Sequence, residues 1–138
     1  MPNFEKYHPL LSVHYELDWL TNFKLKSVAT LRADETQAWI SGRTRDTSIP
    51  ETARYVNQAM RLVMGNKALL YGIGDRKTHD FLGSICLWQF DAGMTKGQMR
   101  FEQLPSTPPT VMTEIIPRVA GFAFFELGLS ELYAIIPE

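Results

Sequence analysis

One stretch of this chain constrains the fold more than any other. A strand over Gln98–Leu104 runs through a proline-bearing loop, Pro105-Ser106-Thr107-Pro108-Pro109-Thr110, into an apolar helix from about Val111 to Leu127. A β-rich run over Leu132–Ile136 follows. Strands joined across a helix lie parallel when they share a sheet, so this segment requires a parallel pair. A strand feeding a helix N-terminus is also where α/β proteins commonly hold phosphates, because free backbone N–H groups and the helix dipole converge there. Pro108 and Pro109 oppose that reading, since neither has an N–H to offer. Architecture argues for a phosphate-bearing cofactor; loop chemistry argues against holding it tightly.

The 138 residues suffice for one domain with a single core, expected to span 1–138. Basic and acidic residues nearly balance, 14 against 15, with no basic stripe, which makes nucleic acid a poor partner. The single cysteine, Cys86, excludes an intrachain disulfide, and no Cys/His spacing resembles a zinc site. The N-terminus lacks the charged-then-apolar pattern of a signal peptide. The most apolar run, Val119–Leu129, contains Glu126 and is too short to span a bilayer. A cytoplasmic protein without a membrane partner is the default expectation.

Alternation over Val13–Leu20, with Val13, Tyr15, Leu17 and Trp19 on one side, predicts a half-buried strand. Phe23–Arg32 carries a short helical stripe, and Asp34–Ile40 has room for a further helical turn or two before Gly42. Ser48-Ile49-Pro50-Glu51 fits a capping box, and Ala53, Val56, Met60, Val63 and Met64 follow at helical spacing up to Gly65-Asn66. The expected helix is Pro50–Met64. Leu69–Asp75 and Phe81–Phe90 read as strands joined by a hairpin-length turn, the second apolar on both faces and hence central. Gln98–Leu104 returns as a third antiparallel strand. Pro117 means either that the last helix starts near Thr113 or that it kinks. The order is β-α-α-β-β-β-α-β, an α/β (α+β) fold with a mixed, mainly antiparallel sheet flanked by helices.

Cys86 sits mid-strand with no polar neighbour, the pattern of a small buried hydrophobe rather than a nucleophile. His8, His14 and His79 have no mutual metal spacing, and His79 reads as an exposed turn residue. Trp19, Trp39 and Trp88 with Phe122, Phe124 and Phe125 are most economically core.

The element order resembles the GNAT superfamily of acyl-CoA-dependent N-acetyltransferases, in the branch that acetylates N-termini of ribosomal proteins. Leu82–Phe90 after Tyr71-Gly72-Ile73 resembles that branch's second hairpin. Phe101-Glu102-Gln103-Leu104-Pro105 resembles the strand end before the cofactor loop, and Met112–Ile116 through Phe124–Leu129 the following helix and its exit. The resemblance implies that the strands over 98–104 and 132–136 splay, with the pantetheine arm of acetyl-CoA filling the gap. It implies a pyrophosphate on backbone N–H groups at the helix start, here Thr107, Thr110, Val111, Met112 and Thr113. A backbone N–H near Gln103 or Leu104 would polarise the thioester carbonyl. Glu102 is the nearest candidate base, against the alternative of a solvated strand carboxylate. Tyr133 faces the gap as a candidate proton donor to the thiolate, against the alternative of packing. Trp39 lies near the loop that shapes acceptor access in the family.

The sequence departs from the family pattern in three places. The loop lacks the family's glycines and its Arg or Gln and is about one residue short. Gln98 stands where related enzymes carry an acidic residue. The family continues past the fifth strand with a helix and two strands, whereas this sequence ends at Pro137-Glu138. An edge left open at Leu132–Ile136 would favour a homodimer or larger assembly. Two functions follow: an N-acetyltransferase acting on a protein N-terminus, small amine or aminoglycoside by direct attack in a ternary complex, or a non-catalytic module of the same fold that acts through protein association.

Overall fold

The computed structural model describes residues 3–134. Two of its helices begin where the chain supplies a side-chain cap. In α1 (Leu25–Arg32), Val28, Ala29 and Leu31 are buried. In α2 (Glu35–Ser41), the Asp34 carboxylate accepts the Gln37 N–H at 2.9 Å, and Gly42 stops the helix at φ 67°. At the start of α3 (Ile49–Met64), Ser48 Oγ accepts the Glu51 N–H at 3.3 Å. Glu51 reaches back one residue further than expected, accepting the N–H and hydroxyl of Thr47 at 3.0 and 2.9 Å. The left-handed stop is Asn66 at φ 58°, not Gly65 at φ −84°.

The strands form one six-stranded sheet in sequential order. They are β1 (Leu10–Leu11), β2 (Tyr15–Trp19), β3 (Leu69–Asp75), β4 (Phe81–Trp88), β5 (Lys96–Gln103) and β6 (Glu131–Ala134). The first four pairings are antiparallel and the last is parallel, with Lys96 opposite Glu131 and Met99 opposite Ala134. The expected parallel pair is therefore present. The two-residue β1 was not expected, and β4 ends before Gln89, which adopts φ 51°. Val13 is exposed in the β1–β2 turn rather than part of a strand. Positions 135 and 136 of the expected last strand lie outside the described residues.

The two faces of the sheet differ in chemistry. On one, Leu17, Trp19, Leu69, Tyr71, Ile73, Ile85, Leu87 and Met99 pack in one cluster with Val111, Ile115, Val119 and Phe122 of α4 (Thr110–Phe125). The opposite face lies toward α1, α2 and α3. There Phe23 covers Gly72 so closely that a Cβ would sit 2.6 Å from its ring. Helix α4 starts at Thr110 and runs through Pro117, which excludes a start near Thr113. Trp39, Phe124 and Phe125 are exposed, so the expectation of core positions fails for them; Trp19 and Phe122 are buried as expected. Trp39 stands on the short helix α2, which presents Ala38 inward instead.

The β1–β2 turn is fastened to α4 by charge. Glu114 accepts from the Ser12 hydroxyl, from the His14 N–H at 2.9 Å and, at 2.6 Å, pairs with His14 Nδ1. Arg118 Nε donates to the Leu11 carbonyl at 2.8 Å. Partial burial pushes the Glu114 carboxyl up, but the hydrogen bonds from His14 and Ser12 outweigh it and bring it to about 2 from an ordinary 4.5. A carboxyl depressed on folding stabilises above its unfolded value and loses that contribution as pH falls toward its folded value. The wild-type melting temperature should therefore fall more steeply between about pH 4.5 and pH 2 than that of Glu114→Gln, as followed by circular dichroism. Parallel pH profiles would remove Glu114 from the acid response.

Candidate functional site

The face of the sheet toward α1–α3 is polar along β5. Gln98, Arg100 and Glu102 alternate onto it, with Trp88, Cys86 and Ser84 opposite them on β4. Over these residues lies a cavity of about 240 Å³, closed by Leu20, Arg32, Arg43, Tyr55 and Leu70. Its walls are mainly apolar, and its polar groups come from β4 and β5 (Ser84, Arg100 and Glu102), from α1 and α3 (Arg32 and Tyr55) and from Arg43 after α2.

That segment, Arg43 to Ser48, is held by two ion pairs. Arg43 Nε and Nη2 donate to the two Glu102 oxygens at 3.0 and 2.7 Å, while Nη1 donates to the carbonyls of Arg32 and Thr44. Arg32 clasps Asp46 in the same two-pronged way at 3.0 and 3.2 Å, and Thr52 adds a hydroxyl at 2.9 Å. Burial opposes the charge on Arg43, but the hydrogen bond to Glu102 outweighs it and raises the guanidinium pKa further. Asp46 is held below its usual value because Arg32 and Thr52 overcome the cost of burial. Tyr55 stacks on Arg32, with the guanidinium carbon 3.6 Å from the ring centre, and burial pushes its phenol up to about 12.

The carboxylate expected to act as a base is thus buried, with both oxygens on Arg43. It is not a solvated strand residue, and to take a proton it would first have to leave the guanidinium. Tyr133 is half exposed on β6 in register with Gln98. Glu102 lies four residues further along β5, about 13 Å away at strand spacing. The two residues cast as acid and base are therefore not brought together. Cys86 lines the cavity, where burial pushes its thiol up to about 11, the opposite of nucleophile activation. His79 is an exposed turn residue, as expected.

The backbone donors are also largely engaged. Leu104 N–H donates to Leu82 O at 3.1 Å, extending the β4–β5 ladder. Gln103 N–H points the other way, toward the side of β5 on which β6 lies, and donates to Gln37 Oε1 at 3.1 Å. A side-chain carbonyl from α2 thus occupies the amide expected to polarise a thioester. At the start of α4, Thr107 is buried, with its N–H on Leu104 O at 2.9 Å and its hydroxyl on Leu82 O at 2.7 Å. Val111 and Thr113 donate to the carbonyls of Pro108 and Pro109 at 3.1 and 3.4 Å. Among the described residues, the N–H groups of Ser106, Thr110 and Met112 have no acceptor. Of the expected pyrophosphate donors, Thr110 and Met112 remain available; Thr107, Val111 and Thr113 are bonded within their own turns.

The architecture identifies itself by comparison with solved structures. No known family profile matches the sequence, and no curated protein does. The spermidine N-acetyltransferase of Vibrio cholerae, solved with CoA and spermine, superposes with a TM-score of 0.75 at 15% identity, covering 91% of this chain and 72% of that one. A GNAT-family acetyltransferase from Bacillus anthracis gives 0.73 at 15% identity with the same coverage. A Vibrio cholerae protein assigned as a ribosomal-protein-serine acetyltransferase gives 0.69 at 12%, again over 91% and 72%. The chain has the GNAT fold.

In this GNAT fold the polar cavity lies on the α1–α3 side of β5, and the start of α4 lies at its end. Sequence reasoning missed Gln37, Arg43, Tyr55 and Arg100. One signal was available: Gln98, Arg100 and Glu102 alternate on a strand next to the central strand, which marks a polar face under a covering layer. Removing Arg43 should leave the buried Glu102 carboxylate unpaired. Arg43→Met should cost about 3 kcal/mol in urea denaturation, and the double variant Arg43→Met/Glu102→Leu should recover most of it. A loss below about 1 kcal/mol for the single variant would show that the pair is dispensable.

Proposed function

We propose that this chain is an acyl-CoA-dependent N-acetyltransferase that moves an acetyl group from acetyl-CoA to a primary amine by direct attack in a ternary complex. The observation that carries the reading is a cavity with polar groups set against β5, the strand beside the parallel β6, in a GNAT fold. The amine, deprotonated by water, attacks the thioester carbonyl carbon; the C–S bond breaks, CoA leaves as a thiolate, and the extra proton on the acylated nitrogen passes through water to the sulfur. In this reading Gln103 N–H polarises the carbonyl once Gln37 withdraws, and water rather than Tyr133 carries the thiolate's proton, because Tyr133 is in register with Gln98, five residues or about 16 Å along β5 from Gln103. Glu102, fixed by Arg43, keeps a second lone pair on each oxygen and aligns the incoming amine rather than removing its proton. Thr110 and Met112 N–H meet the pyrophosphate at the positive end of the α4 dipole, with fewer donors than a glycine loop would give. Protein N-termini and small amines, aminoglycosides included, are the acceptor classes this reading admits.

A second reading, a non-catalytic module acting through protein association, is favoured by Pro108, Pro109 and the amides already engaged around them. No helix of the described residues is long and apolar enough to cross a membrane. We place the protein in the cytoplasm, without a nucleic-acid partner. Phe125 is 90% exposed and Tyr133 51% exposed. Such surfaces fit a homo-oligomer, which light scattering would detect.

Acetyl-CoA should raise the melting temperature. A ligand at a hundred times its dissociation constant adds about 2.7 kcal/mol of stability. No shift at millimolar acetyl-CoA, with no thiol released in the presence of amines, rejects the enzyme in favour of the module. Gln37→Ala should bind acetyl-CoA several-fold more tightly by calorimetry, because it removes a competing carbonyl from Gln103 N–H. Equal or weaker binding would show that the Gln37 contact does not occupy the cofactor's place.

A further inference from the structure

The cavity on the α1–α3 face is lined by Arg32, Arg43 and Arg100. Asp46 holds both prongs of Arg32, and Glu102 holds Arg43. Among the described residues, no carboxylate or carbonyl accepts from Arg100. Three guanidinium groups therefore face two carboxylates, and the surplus charge sits on Arg100. Its guanidinium carbon lies 4.2 Å from the centre of the Trp88 ring. The indole Nε1–H beside it is buried and has no acceptor among the described residues.

A guanidinium stacked on an indole is held by its face and keeps its N–H edge for a ligand, a geometry suited to two parallel hydrogen bonds from one carboxylate. Two unpartnered donor groups in a mainly apolar cavity are costly unless something accepts from them. A polycation would be repelled there, by one net positive charge from Arg32, Arg43, Arg100, Asp46 and Glu102.

From this we infer that the Arg100 fork and the Trp88 indole bind a carboxylate on the acceptor, so that the substrate class is a primary amine that also carries a carboxylate. The inference deepens the acetyltransferase reading and rests on it for the amine. The carboxylate recognition stands on the cavity alone. On β5, Arg100 lies two residues from Glu102 on the same face, about 7 Å along the strand. An acceptor held by Arg100 would thus extend toward Glu102 and the Gln103 amide.

The test uses the full chain and matched probes: γ-aminobutyrate and its methyl ester, a serine-led peptide with glutamate or glutamine second, and spermidine. Without acetyl-CoA, the Trp88 indole signal in the ¹H–¹⁵N spectrum should shift on titration with γ-aminobutyrate, at least about tenfold more tightly than with the ester. Arg100→Met should bring that ratio to about one, and Arg100→Lys, which keeps the charge but loses the fork, should give an intermediate ratio. The acid-to-ester comparison on the wild type needs no variant to fold. Thiol release with acetyl-CoA should follow the same order, and the peptide pair tells a free acid from an acidic N-terminus. Equal binding of acid and ester, or tighter binding of spermidine, overturns the inference. Acid-selective binding without thiol release from any amine upholds it and rejects the acetyltransferase reading instead.

Discussion

The Arg43–Glu102 pair fastens the helical layer to the sheet. Glu102 stands on β5, and Arg43 follows the left-handed stop at Gly42, so this contact fixes where the chain goes between α2 and α3. The same guanidinium donates to the Arg32 carbonyl, which ties the end of α1 into the cluster. Arg32 in turn holds Asp46, and Asp46 receives Thr52 from α3. One chain of charge-assisted hydrogen bonds thus links α1, the loop, α3 and β5, and a roof over the polar face of the sheet is the result. Burying these charges costs solvation, which only complete pairing offsets.

The roof also governs chemistry. It sets α2 beside the end of β5, where Gln37 reaches the Gln103 amide. It closes the cavity over Ser84, Cys86 and Arg100 while leaving Arg100 without a carboxylate among the described residues. On the other side of the sheet an apolar cluster holds α4, and the polar β1–β2 turn is pinned to it through Glu114. The two faces therefore divide the work: one carries the larger packed cluster, the other a smaller apolar cluster of Leu20, Val28, Leu31, Val56, Ala59 and Phe81 beside the polar site. Prolines 108 and 109 set the limit at the head of α4, where a glycine-rich loop would offer successive amides to an anion.

Local signals carried the fold a long way. Ser48, Pro50 and the apolar spacing from Ala53 defined α3 to within a residue at its start. The helix between β5 and β6 required the parallel pairing that is present. β1 escaped because two residues show no periodicity, and Trp39 escaped because a short helix with one inward residue leaves its aromatic neighbour outside. The site was less legible. Glu102 and the amides of Gln103, Thr107 and Val111 were singled out from the sequence, but the partners they find in the fold change what they can do.

The sequence by itself determined the order of strands and helices from β2 onward, the central place of β4 and the parallel final pair, because caps, turns and hydrophobic period act between residues a few positions apart. Only the tertiary structure decided that Glu102 meets Arg43 across 59 positions and that Gln37 meets Gln103 across 66. Such pairings have no local signature. They arise where folding places donors and acceptors from distant segments in a space that water has left, and there a carboxylate that reads as a base in one dimension becomes an anchor in three.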